Sequence, residues 1–75
     1  MINCLILDDE QHCIDVLTYY INQCSGTMNL VATASSGAEA LRILNTEKID
    51  LLFSDIQMPD ISGLEFVKLL LEALI

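Results

Sequence analysis

Two short apolar runs, each ending on aspartate, constrain this 75-residue chain more than any other feature. Ile2-Asn3-Cys4-Leu5-Ile6-Leu7 leads straight into Asp8-Asp9-Glu10, and Ile49 to Ser54, centred on Leu51-Leu52-Phe53, leads into Asp55. Near-continuous apolar runs of this length suit strands buried on both faces, which occur in parallel sheets covered by helices. Between the two runs lies Leu30-Val31-Ala32-Thr33-Ala34, a further strand candidate.

The intervening segments carry helical spacing. After Asp8 and Asp9 the apolar positions become Cys13, Ile14, Leu17 and Ile21, with Val16 and Tyr20 widening the stripe. Asp9 is the expected N-cap, with Glu10 in the first turn, and Ser25-Gly26-Thr27 breaks the helix. Ser36 with Glu39 three residues on matches a capping box and predicts a helix from about Gly37 to Asn45. On that helix Ala38, Leu41 and Leu44 are expected to face the core and Arg42 the solvent. The loop from Asp55 to Gly63 then leads to a last helix over about Leu64 to Ile75. Strands alternating with helices imply an α/β fold with a parallel sheet.

Composition narrows the function. Eleven acidic residues against three basic ones give a net charge of −8, which disfavours nucleic acid and anionic membrane surfaces as direct partners. The chain is 53% hydrophobic with a mean hydropathy of +0.53, too apolar for a solvated disordered segment. No run approaches the roughly 20 apolar residues a membrane span needs, and Met1 to Leu7 is too short for a secretory signal. Cys4, Cys13 and Cys24 show no metal spacing, the single His12 adds none, and buried free thiols in a reducing cytoplasm are expected.

In open parallel sheets ligands bind beyond the carboxyl ends of the strands. Asp8 and Asp9 follow the first strand and Asp55 the third. In a sheet ordered 2-1-3 these strands are neighbours, so three carboxylates converge. Such crowded charges repel unless a cation sits among them. A hard divalent ion such as Mg²⁺, which uses one or two carboxylates, waters and a phosphate, resolves the conflict. The backbone carbonyl of Gln57 is a further oxygen within reach along the chain. Each acid taken singly also fits a helix cap at a strand end.

Cys4-Leu5-Ile6-Leu7-Asp8-Asp9-Glu10 resembles the acidic-pair strand that opens response-regulator receiver domains. Leu51-Leu52-Phe53-Ser54-Asp55-Ile56-Gln57-Met58-Pro59 followed by Gly63 resembles their phosphoacceptor strand and loop, and Ser36-Gly37-Ala38-Glu39-Ala40-Leu41 falls where the second helix of that family begins. The segment Asp55 to Pro59 with Gly63-Leu64-Glu65-Phe66 is similar to regulators that carry a LytTR DNA-binding domain. The resemblance implies a flavodoxin-like parallel sheet, here incomplete, with three strands in order 2-1-3 and three helices. It implies a cytoplasmic, non-enzymatic signalling module of two-component systems, a phosphoprotein acting in transcription regulation. Asp55 is then the phosphoacceptor. Asp8, Asp9, Asp55 and the Gln57 carbonyl hold Mg²⁺, and a sensor histidine kinase is the partner.

The family site also uses a Ser or Thr after strand four and a Lys after strand five. Residues 1–75 are accordingly expected to be the N-terminal portion of a receiver, ending after the third helix, without strands and helices four and five. Arg42, Lys48 and Lys68 do not match the Lys position. The last helix is apolar over most of its circumference, so the alternative expectation is a fragment without phosphotransfer that associates as an edge-paired or domain-swapped dimer. A haloacid-dehalogenase-type phosphohydrolase would also place an aspartyl nucleophile after a strand, but it wants an acid where Gln57 stands.

Overall fold

The computed structural model describes residues 1–54 together with Lys68. Its elements run β1 (Ile2–Leu7), α1 (Gln11–Gln23), β2 (Met28–Ala34), α2 (Gly37–Thr46) and β3 (Leu51–Ser54). The strands form one parallel sheet in the order β2-β1-β3. This is the expected α/β class and strand order, with two helices among the described residues. Of the third helix, expected over Leu64 to Ile75, only Lys68 is among the described residues, and it is helical.

β1 is the central strand, and its sequence shows why. Cys4, Leu5, Ile6 and Leu7 are all at most 1% exposed, so successive side chains are buried on opposite faces. Leu5 and Leu7 join Ala34 and Ala40, against which Leu41, Ile43, Leu44 and Leu52 pack; this is the α2 side. Cys4 and Ile6 join Ile14 and Ile21, with Leu17, Leu30 and Phe53 against them; this is the α1 side. The chain moves from β1 out to β2, then back past β1 to β3. With one crossover hand, that reversal requires the two helices to lie on opposite faces.

β2 departs from simple alternation. Cys4 pairs with Leu30 but Leu5 pairs with Ala32, so Val31 is an extra residue in the ladder. Met28 and Leu30 therefore pack on the α1 side while Ala32 and Ala34 pack on the α2 side. Without the bulge, residues two apart would share a face. One strand thus serves both cores in succession.

Several local expectations are corrected. α1 begins at Gln11, and its N-cap is Glu10, not Asp9, so Glu10 is not in the first turn and makes no side-chain cap bond. Val16 and Tyr20 do not widen the buried stripe; both are exposed, and α1 buries only Ile14 and Ile21 fully. α2 turns Ala40 rather than Ala38 into the core, because Gly37 and Ala40 sit against the sheet while Ala38 lies outward. Arg42 is exposed as expected. β2 starts two residues earlier than expected, and β3 two residues later. Cys4, Cys13 and Cys24 form no disulfide, but only Cys4 is buried; Cys13 is half-buried and Cys24 exposed.

The cap of α2 forms as its sequence specifies. Ser36 Oγ accepts the Glu39 N–H at 3.2 Å, and Glu39 Oε1 reaches back to accept the Ser35 N–H at 3.1 Å. At the end of α1, the carbonyl of Cys24 accepts both the Thr27 and Met28 amides at 2.8 Å. The turn through Ser25 and Gly26 is closed by these bonds, and no glycine with positive φ is needed there. No helix among the described residues is long and apolar enough to cross a membrane.

Candidate functional site at the carboxyl ends of the central strands

The site begins at the pairing of β1 with β3. Their parallel register runs Cys4 with Leu51 through Leu7 with Ser54. The two strands therefore finish side by side at the same end of the sheet. Asp8 follows Leu7, and Asp55 follows Ser54 in the sequence. This is also where the strand order reverses, the position at which open α/β sheets bind ligands.

Asp8 is half-buried and held from two directions. Its backbone N–H donates to the Ala34 carbonyl at 3.1 Å, continuing the β1–β2 ladder one residue past the strands. Its Oδ1 accepts the Glu10 N–H at 3.0 Å, an Asx-type turn that carries the chain into α1. Asp9 is exposed between them. Glu10, the N-cap, gives its carbonyl to the Ile14 N–H at 3.2 Å, and its carboxylate accepts the Cys13 thiol at 3.4 Å.

Asp8, Glu10, Cys13 and Ser54, with the apolar Leu7, Leu17 and Phe53, line a cleft of 340 Å³. Of the residues expected to form the site, Asp8 and Asp9 stand together at the end of β1. Asp55 and Gln57 lie outside the described residues. Among the described residues no three Asp, Glu, His or Cys side chains gather into a metal-binding group. The donor set at the end of β1 nonetheless suits a hard cation: Asp8 Oδ1 is committed to the Glu10 amide, while the exposed Asp9 carboxylate is oxygen-only chemistry at a helix start.

Glu10 and Cys13 belong to this cleft and were not singled out for it by sequence. The signal was their spacing of three residues across the first turn of a helix, which brings side chains together. Of the cations, Arg42 and Lys48 are exposed on α2 and just beyond it, and Lys68 is an exposed helical residue. None of them lines the cleft.

The model of the response regulator receiver domain family matches residues 4–73. An uncharacterized response regulatory protein of Shewanella oneidensis is 40% identical over 93% of this chain and 29% of its own length. The alkaline phosphatase synthesis transcriptional regulatory protein PhoP of Bacillus subtilis is 41% identical over 85% of this chain and 25% of its own. A protein-glutamate methylesterase/protein-glutamine glutaminase of Nitrosospira multiformis is 33% identical over 96% of this chain and 20% of its own. The three-stranded order β2-β1-β3, the acidic turn after β1 and these matches together make the chain a member of the response-regulator receiver family. The chain spans less than a third of the length of these relatives. No solved structure matches it.

Proposed function

We propose that this chain is the phosphoacceptor module of a two-component system, taking a phosphoryl group on Asp55 from a phosphohistidine of a sensor histidine kinase. The observation that carries this reading is the register of Leu7 with Ser54, which brings the carboxyl ends of β1 and β3 together just before Asp8 and Asp55 in the sequence. A carboxylate oxygen of Asp55 attacks phosphorus, the P–N bond to the imidazole breaks, and an acyl phosphate results. Asp8 and Asp9, with Asp55 and the Gln57 carbonyl, are the residues that would hold Mg²⁺. Bound there, the ion supplies neutralisation of the charge spread over the transferring phosphoryl oxygens.

The chain's own contribution is placement. The Glu10 amide fixes the Asp8 carboxylate, and Asp8 shares its cleft with the apolar Leu17 and Phe53. The net charge of −8 fits a cytoplasmic signalling protein whose partner is a kinase and not nucleic acid. Any effect on transcription would run through a separate output domain, of which the LytTR type is the proposed kind.

The test is incubation with Mg²⁺ and acetyl phosphate, followed by intact-mass measurement. A phosphoryl adduct is expected on the wild-type chain and none on Asp55→Asn. A folded sample that gains no adduct, or an Asp55→Asn variant that gains the same adduct, sinks the proposal.

One observation favours a second reading, in which the chain associates without phosphotransfer. Among the described residues β3 pairs only with β1, and its Leu51 is 38% exposed. An apolar strand with one unpaired edge is a template for another chain. Light scattering that reports a dimer, combined with the absence of an adduct, selects this reading over the first.

A further inference from the structure

We propose that the bulge at Val31 keeps the outer edge of β2 from adding the same strand of a second copy of this chain. The inference is independent of the phosphoacceptor reading, and it gives the bulge a consequence beyond the filling of two cores.

β2 lies at one side of the sheet. Among the described residues it pairs with β1 alone, so its other edge presents backbone N–H and C=O groups to a neighbour. Its seven residues, Met28-Asn29-Leu30-Val31-Ala32-Thr33-Ala34, include no charge, proline or glycine. An uncharged segment of this length, rich in strand-forming residues, is the kind that stacks on its own copies. Proteins ordinarily blunt such an edge with a lysine or other charge, a proline or a bulge. Charge and proline are absent here, since no Asp, Glu, Lys, Arg or Pro occurs anywhere in residues 16–38. The bulge is present.

Its effect is one of phase. In a regular strand the groups that point outward recur every second residue, as do the side chains on one face. In β2 this repeat breaks between Leu30, paired with Cys4, and Ala32, paired with Leu5. The side chains record the break: Leu30 packs with Cys4 and Ile6, while Ala32, two residues on, packs with Leu5 and Leu7 on the other face. The outward backbone groups of residues 28–30 and 32–34 are therefore out of step. A regular incoming strand can match one half of β2 but not both. Half a ladder returns too little to offset the cost of bringing two chains together.

The experiment is sedimentation velocity on the full chain over a concentration series, with amide hydrogen exchange read at β2. It is run on wild type, Thr33→Lys, a chain lacking Val31, and a chain with both changes. Thr33 is exposed on β2, so lysine there adds the charge the edge lacks without entering the core. Wild type and Thr33→Lys are expected to sediment alike, because the edge is already closed. The chain lacking Val31 should shift to species at or above dimer mass, with its β2 amides newly protected, and adding Thr33→Lys should return it to the wild-type mass.

A folded chain lacking Val31 that sediments as wild type does overturns the inference. So does a wild-type chain whose association falls on Thr33→Lys, since its β2 edge would then be open. Where the chain lacking Val31 fails to fold, the wild-type exchange decides. Protection of β2 that is the same at every concentration supports the closed edge, and protection that grows with concentration overturns it.

Discussion

Asn3 and Asp50 exchange two hydrogen bonds across the start of the β1–β3 ladder. The Asn3 N–H donates to Asp50 Oδ2 at 2.9 Å, and the Asp50 N–H donates to the Asn3 carbonyl at 2.8 Å. Asp50 thus uses its side chain where a strand residue would use its carbonyl. It locks the incoming chain to β1 one residue before β3 begins, which fixes the register that ends at Leu7 and Ser54. Alanine at position 50 removes one bond of the pair. The expected cost is about 1 kcal/mol, the usual net worth of such a bond, read as a lower urea midpoint with an unchanged slope. Asp50→Asn keeps an acceptor oxygen and should lose less.

Ser36 is the second place where one side chain governs an element. Its hydroxyl satisfies the Glu39 amide at the start of α2, and α2 supplies Ala40 to the core around Leu5 and Leu7. Ser36→Ala should destabilise the chain by about 1 kcal/mol. Ser36→Asp, a cap of equal quality, should leave thermal unfolding nearly unchanged. A Ser36→Ala chain as stable as wild type would show that the cap is not needed.

The cysteines divide by exposure. Burial pushes the Cys4 thiol up, and the negative charge of Asp50 adds to this, partly offset by a backbone hydrogen bond from Asn29. In the native protein a thiol reagent should label the exposed Cys24 fast and Cys4 only on unfolding. The sign of the pH effect follows from the raised value. The folded state keeps the Cys4 proton where the unfolded state has lost it, so this contribution is complete below the unfolded thiol pKa of about 8.5. It fades as pH climbs above that value toward the folded one. Stability of wild type should therefore fall more steeply than that of Cys4→Ala in the alkaline range, measured by urea unfolding at stepped pH.

Asp9 offers a test of the metal without a test of the fold. It is exposed, and among the described residues its side chain makes no hydrogen bond. Asp9→Asn should weaken Mg²⁺ binding by on the order of tenfold, which corresponds to about 1.4 kcal/mol. Melting in excess chelator should match wild type. A variant that binds Mg²⁺ normally removes Asp9 from the proposed ligand set.

Much of this architecture was legible because local chemistry and global fold agree. The run from Ile2 to Leu7 is apolar on both faces, so it specified a central strand and its limits match the structure. Ser36 and Glu39 specified the start of α2 because a cap is a local interaction. Asp8 and Asp9 were legible as a candidate site since they follow that strand directly. Glu10 and Cys13 were not, because what joins them to the site is a cleft they line together with Phe53 and Ser54 of β3.

By itself the sequence determined the alternation of strands and helices, the identity of the buried central strand and the acidic turn after it. These follow from periodicity, burial preference and capping, all of which act over a few residues. Tertiary structure decided which residues of each element are buried. Val16 and Tyr20 were expected to widen the stripe of α1, yet both lie away from the sheet and Ile14 and Ile21 alone are fully covered on that helix. It also decided that Val31 is squeezed out of the ladder, so that β2 faces α1 with Leu30 and α2 with Ala32. No alternation rule within β2 foretells that switch, because its cause is the need of two cores, on opposite faces of β1, to be filled by the same strand.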